Sequence, residues 1–395
     1  MKKIIYILVL ACVPSFISAQ NAIDKILASV SENNLELKAS EADLQSQTYS
    51  IKSLNNLNDP NIDLDYTFGG KDIGNKWDIT VTQDFDWPGL YASRSKGNKA
   101  RISALSYLTM MKRMEILLQA KQVCIDLVNI NKQIVLQQKV YENIDNLYQL
   151  YQKGYQHGEI NILDINKLKI ERINTNQVLT ELLVQKKVVL ESLKALNGNI
   201  PVDESVLSSL TDYPVAEIKS LSYYSEPIST VDPEINYGSK SVEADKIDIK
   251  SSKLGWFPSF SVGYKHSNET GISFDGFVVG VSIPLFSNRN KVKAAEAAYL
   301  SKSLMQQNLH ISKSTKINAQ YSSLLILDKQ INDYNGALND TQNFDLLYKA
   351  LKGGQISLLE YLVESKYFLD AQKNLLSIEY SFNQQLAELE KYSLK

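Results

Sequence analysis

The chain has 395 residues, with 42 lysines and arginines against 44 aspartates and glutamates and a formal net charge of −2. So balanced a charge, with no basic stripe, excludes an ordinary nucleic-acid-binding surface. The two cysteines, Cys12 and Cys124, and the scattered His157, His266 and His310 form no metal-ligand spacing, so neither a metal nor a cofactor is expected.

The first element is an export signal over residues 1–19. Lys2 and Lys3 supply a positive start, and Ile4 to Val13 is an apolar run too short to cross a bilayer as a helix. Ser15 to Ala19 is small and turn-prone, with Ala19 at the cleavage point. Cys12 opens a second possibility, lipidation of an exported protein, although the run before it is short and Val9-Leu10-Ala11 is a poor lead-in. Beyond the signal no stretch of about 18 apolar residues occurs, so a membrane would have to be entered as strands.

Residues 20–198 form a first structural repeat, with strands at about 61–69 and 76–87 and a helical hairpin at about 90–197. Between Pro60 and Pro88 the apolar period is two. Ile62, Leu64, Tyr66 and Phe68 share one face, with Asp63, Asp65 and Thr67 opposite. After a polar turn (Gly69 to Lys76), Trp77, Ile79, Val81, Phe85 and Trp87 share a face broken by Gln83, against Asp78, Thr80, Thr82, Asp84 and Asp86. Such strands are long enough to cross a bilayer when tilted, and Trp77 and Trp87 stand near the two ends of one of them, as interfacial aromatics do. From Gly89 to Ile200 there is no proline and helix formers dominate. A long helix, about Ser93 to Lys153 and roughly 90 Å at 1.5 Å per residue, therefore turns at Gly154 and Gly158 into a second. Leu105, Leu108, Met111, Met114, Leu118, Ile125 and Val128 give it an imperfect apolar stripe.

Residues 199–232 carry Pro201, Pro214 and Pro227 and read as an irregular crossover, after which Asp232-Pro233 is a capped helix start. Residues 233–395 form the second repeat. Its first strand, about 258–267, sets Phe260, Val262 and Tyr264 against Ser259, Ser261, Gly263 and Lys265. A turn from Ser267 to Phe274 leads to a strand at about 275–285, where Phe277, Val279, Val281, Ile283 and Leu285 oppose Val278, Gly280 and Ser282. A helical hairpin follows at about 290–393, striped by Leu324, Leu327, Ile331 and Tyr334 and broken at Gly353 and Gly354. The repeats match in order. Gly158-Glu-Ile-Asn-Ile-Leu-Asp164 and Gly354-Gln-Ile-Ser-Leu-Leu-Glu360 lie at the same spacing as Trp87-Pro88 and Ile283-Pro284, and Pro60 and Pro258 fall two residues off it.

The expected fold is therefore mainly α with a small β portion, a helix–strand–strand–helix–helix unit occurring twice. Two soluble hairpins covering a core with one face would show the same alternation; the export signal and the long helices favour membrane strands. Four strands cannot close a barrel, and an open edge is not tolerated in lipid, so copies must associate; three would give twelve strands.

With these features the chain resembles the TolC-like outer-membrane efflux family over nearly its whole mature length. The most specific carrier is the Gly-x-Ile-x-(Ile/Leu)-Leu-(Asp/Glu) turn in both repeats, with Tyr151, Tyr155 and Tyr348 nearby. The resemblance implies a homotrimer with a twelve-stranded barrel in outer-membrane lipid and a long α-helical periplasmic tunnel. It implies partners too: a periplasmic adaptor and, through it, an inner-membrane pump. By the same resemblance the hairpin tips meet the adaptor, which maps the contact onto Gly154, Gly158, Ile160, Ile162 and Leu163 and onto Gly354, Ile356, Leu358 and Leu359. A purely structural role, capping each hairpin against neighbouring helices, is the alternative. Glu360 falls where the family has an acidic ring at the tunnel entrance, with Asp164 its counterpart after the first tip; Val363 stands where a second acid is common, and Glu364 is one step off. Asp63, Asp65, Asp78, Asp84 and Asp86 would face the barrel lumen, either biasing it toward cations or only keeping it wet.

No Gly-rich phosphate loop, nucleophile elbow or His–carboxylate cluster supports an enzyme. The competing class is a periplasmic coiled-coil adaptor or interaction protein without a pore; two equivalent hairpins and few strands favour the duct. Drugs, metal cations and secreted proteins all remain open as cargo.

Overall fold

The computed structural model describes residues 14–70, 73–215, 217–339 and 343–394; most of the expected export signal, residues 1–13 with Cys12, lies outside them. The elements are α1 (Pro14–Asn33), α2 (Leu35–Ser53), β1 (Asn61–Thr67), β2 (Lys76–Phe85), α3 (Pro88–Gln156), α4 (Ile162–Leu196), α5 (Glu204–Ser208), α6 (Leu221–Thr230), α7 (Pro233–Leu254), β3 (Ser259–Glu269), β4 (Ile272–Ser282), α8 (Lys291–Asn339), α9 (Asn343–Lys352) and α10 (Leu358–Leu389). A strand pair between helices, followed by a helical hairpin, thus occurs twice. The chain forms two compact units: residues up to 38 with 112–227 and 314–395, and residues 39–111 with 228–313.

The first unit is helical. Ala22, Ile23, Ile26 and Val30 recur at three and four along α1 and bury one face against Ile116, Ala120, Cys124, Leu127 and Val128 of α3. Each large side chain so buried contributes about 1.5–3 kcal/mol. The apolar stripe read from the sequence is only partly this face: Ile125 and Val128 are in the core, whereas Leu108 is exposed. A helix this long changes neighbours along its length, so no single stripe describes it. The crossover is more ordered than its prolines suggest. Asp203 caps α5, accepting from the Ser205 N–H at 2.9 Å. Pro227 lies within α6, and Leu210 and Tyr213 join the core.

The second unit carries a four-stranded antiparallel sheet in the order β1-β2-β3-β4. Ile62, Val81, Tyr264 and Phe277 form one cross-strand row, and Leu64, Ile79, His266 and Asp275 the next. The β3–β4 turn is only Thr270-Gly271, both with positive φ (53° and 89°), a pairing that matches the twist of a two-residue hairpin. The polar residues read as a longer turn instead continue the ladder; Asn268 donates to the Ser273 hydroxyl at 3.1 Å across it. Helix α7 begins at Asp232-Pro233. The buried Asp232 carboxylate accepts from the Glu234 N–H at 2.8 Å and pairs with Lys313 at 2.6 Å.

Candidate functional site

The two hairpin tips in the helical unit are built alike. At the end of α3, Gly158 has φ +78°, its N–H donates to the Tyr155 carbonyl at 2.9 Å, and the Glu159 N–H donates to the Gly154 carbonyl at 2.9 Å. At the end of α9, Gly354 has φ +69°, with Gly354 N–H to the Leu351 carbonyl at 3.1 Å and Gln355 N–H to the Ala350 carbonyl at 2.9 Å. Both are the same helix-ending motif, which needs a left-handed residue at the glycine. The other glycine of the first tip has a different role: a β-carbon on Gly154 would stand 2.7 Å from Ile160 Cγ1, so its absence lets Ile160 fold back.

Each descending helix is then capped. Asn161 accepts from the Leu163 N–H at 3.0 Å. Ser357 and Glu360 form a reciprocal capping box, Glu360 N–H to Ser357 Oγ at 3.2 Å and Ser357 N–H to Glu360 Oε2 at 2.8 Å. Hydrogen bonds from Ser357 to the carboxyl, its backbone N–H first and its side chain second, hold Glu360 below the ordinary carboxylate range. Its counterpart Asp164 pairs with Lys167 at 3.1 Å.

The tip residues differ in what they leave exposed. Leu358 is buried with Leu147, Leu168 and Tyr361, and Ile356 packs against that cluster. The Tyr361 hydroxyl accepts from Asn143 at 2.7 Å. Ile160 is half-buried, while Ile162, Leu163 and Leu359 are exposed. The exposed apolar surface also extends beyond the tips, through Ile170 and Ile173 on α4 and Val363 and Tyr367 on α10. The sequence reading missed this, although steps of seven and ten from Leu163 and of four and eight from Leu359 signal it.

The sheet has two unlike faces. On one, Ile62, Leu64, Phe277, Val279 and Val281 are 59–89% exposed, a continuous apolar surface larger than scattered surface residues account for. It is interrupted where His266 Nδ1 lies 2.7 Å from Asp275, which also accepts from the Tyr264 hydroxyl. The other face carries Asp63, Asp65, Asp78 and Asp84, but they are not equivalent. Asp78 is 8% exposed and lies 3.2 Å from Lys265 and 4.0 Å from Lys76. Asp63, Asp65 and Asp84 are exposed and form no ion pair among the described residues. Asp86 lies just past β2 and pairs with Arg94 at 2.7 Å. On β4 this face turns apolar, at Ile272, Phe274 and Val278. Among the described residues no helix is long and apolar enough to cross a membrane, and no group of acids, histidines and cysteines could hold a metal ion.

No protein-family profile matches the sequence, and no curated protein does. Solved structures do match the fold. A membrane protein from Pseudomonas aeruginosa aligns over 95% of this chain and 93% of its own, with a TM-score of 0.77 and 14% identity. The outer-membrane protein VceC of Vibrio cholerae aligns over 95% and 97%, with a TM-score of 0.74 and 13% identity. The open state of the MtrE outer-membrane channel of Neisseria gonorrhoeae aligns over 94% and 88%, with a TM-score of 0.73 and 14% identity. Likeness over nearly the whole of each chain establishes that this protein has the TolC-like fold of outer-membrane channels.

Proposed function

We propose that the protein is an outer-membrane channel, a passive duct and not an enzyme, that receives substrate from an inner-membrane pump through a periplasmic adaptor. The observation that carries this is the sheet. It has an exposed apolar face, an opposite face that is acidic on β1 and β2, and two edges, on β1 and β4, that no other strand covers among the described residues. A surface of that kind is stable where lipid covers the apolar face and further copies close the edges. In a homotrimer, β4 of each copy would pair with β1 of the next and make twelve strands. The full-length likeness to outer-membrane channels supports the same reading.

Within it, the tips bind the adaptor. Gly154, Gly158 and Gly354 shape them. Ile162, Leu163 and Leu359 supply the exposed contact, while Ile160, Ile356 and Leu358 support it from within. Glu360 and Asp164 place acids at the tunnel entrance, Glu360 capping α10 at the same time.

Purified protein reconstituted into a planar bilayer tests the channel. Discrete, voltage-stable conductance steps are expected. A protein that stays in the aqueous phase without detergent and gives no steps would instead favour a periplasmic interaction protein.

A further inference from the structure

A groove in the helical unit, between α3, α4 and α10, belongs to neither the tips nor the sheet. Asp126, Asn129 and Gln133 of α3, Val184 and Val188 of α4 and Tyr380 of α10 line it. Asp126 is half-buried, and its Oδ1 accepts from the Tyr380 hydroxyl at 2.9 Å and from Gln384 Nε2 at 2.8 Å. Both bonds fall on one oxygen and fix the plane of the carboxylate, which leaves Oδ2 its accepting capacity.

No lysine or arginine pairs with Asp126 among the described residues. Lys132, farther along α3, is held by Glu379 at 2.6 Å and by Asp212 at 3.7 Å. Burial pushes the Asp126 carboxyl above the ordinary range, against its two hydrogen bonds. A partly desolvated anion without a counter-charge is a cost that a bound cation relieves. Beside it the wall is apolar and open: Val184 and Val188, one turn apart on α4, are 55% and 61% exposed.

We infer that this groove binds an organic monocation with an apolar body, the charge against Asp126 and the body along Val184 and Val188. A small inorganic cation would leave the valines uncovered, and a neutral apolar molecule would leave the carboxylate unrelieved. As a binding site it stands on these residues alone; as a place where exported cargo dwells, it rests on the duct reading.

The test is fluorescence anisotropy of ethidium titrated with the full-length protein in dodecyl maltoside, with phenanthridine as the uncharged comparison. Saturable ethidium binding is expected, weakened at least tenfold by Asp126→Asn and also by Val188→Gln. Asparagine still accepts from Tyr380 and Gln384, so the local fold is retained; circular dichroism and mass of each variant check this. Glu142→Gln, at an exposed carboxylate elsewhere on α3, should leave binding unchanged. No saturable binding to the wild type, equal binding by Asp126→Asn, or phenanthridine binding as tight as ethidium would overturn the site. Conductance of the same preparations separates the two ideas. Channels without ethidium binding sink the site alone, and ethidium binding without channels sinks the duct and leaves the site.

Discussion

Leu163 and Leu168 both lie in the first two turns of α4 and differ in burial: Leu163 is 60% exposed and Leu168 is 0% exposed. Leu168→Ala opens a cavity in the closed cluster with Leu147, Leu358 and Tyr361, so it loses both transfer free energy and packing, about 2.7–5 kcal/mol. Leu163→Ala trims a side chain already mostly in water and should change stability by about 0.5 kcal/mol or less. A tip can open without unfolding the whole hairpin, so the assay is hydrogen exchange on peptides spanning the first tip. At about 1.4 kcal/mol per factor of ten, Leu168→Ala should speed exchange there by about a hundredfold or more, and Leu163→Ala by about threefold at most. Capture of the adaptor should rank them the other way once expression is matched, because Leu163 belongs to the proposed contact. Equal loss of protection in the two variants would refute the division into a buried cluster and an exposed contact. Full capture by Leu163→Ala would remove that residue from the contact.

Three further outcomes follow from the same geometry. The folded state lowers the pKa of Glu360, so its cap stabilises the second tip above the unfolded carboxylate value and loses that contribution as pH falls through the folded one. Exchange protection at the start of α10 should therefore decline in acid, and Glu360→Gln should abolish that dependence; an unaltered acid profile would contradict it. Replacing Asp63, Asp65 and Asp84 together by asparagine should move the reversal potential away from cation preference, whereas Asp86→Asn should do little because Arg94 already offsets that charge; a triple variant with unchanged selectivity would place these acids off the ion path. Tyr361→Phe leaves the Asn143 amide without its buried partner and should weaken the second tip by about 1–3 kcal/mol, read as faster exchange in α10; no change would mean that water replaces the hydroxyl.

The duplicated plan was legible because its signals are local. A left-handed glycine and a capping side chain three residues before an acid act within a few residues at both tips, and Asp232-Pro233 acts as locally at the start of α7. Strand faces were legible for β1 and β2, where apolar and acidic residues alternate cleanly. What escaped depends on partners distant in sequence. Lys265 neutralises Asp78 only through the β2–β3 register, and Ile162 and Leu358, equivalent in the repeat, differ in exposure because only Leu358 packs into the cluster with Leu147 and Leu168. The Thr270-Gly271 turn was hidden by polar residues on both sides that serve as well in a strand exposed to water. The groove at Asp126 brings together three helices, and no spacing within one of them marks it.

The most direct test of the channel account is the mass of the mature protein extracted from outer membranes, measured by light scattering corrected for bound detergent. Three chains per particle is the expected result, since a four-stranded sheet with two open edges needs partners to close in lipid. A monomer that stays in solution without detergent would contradict it.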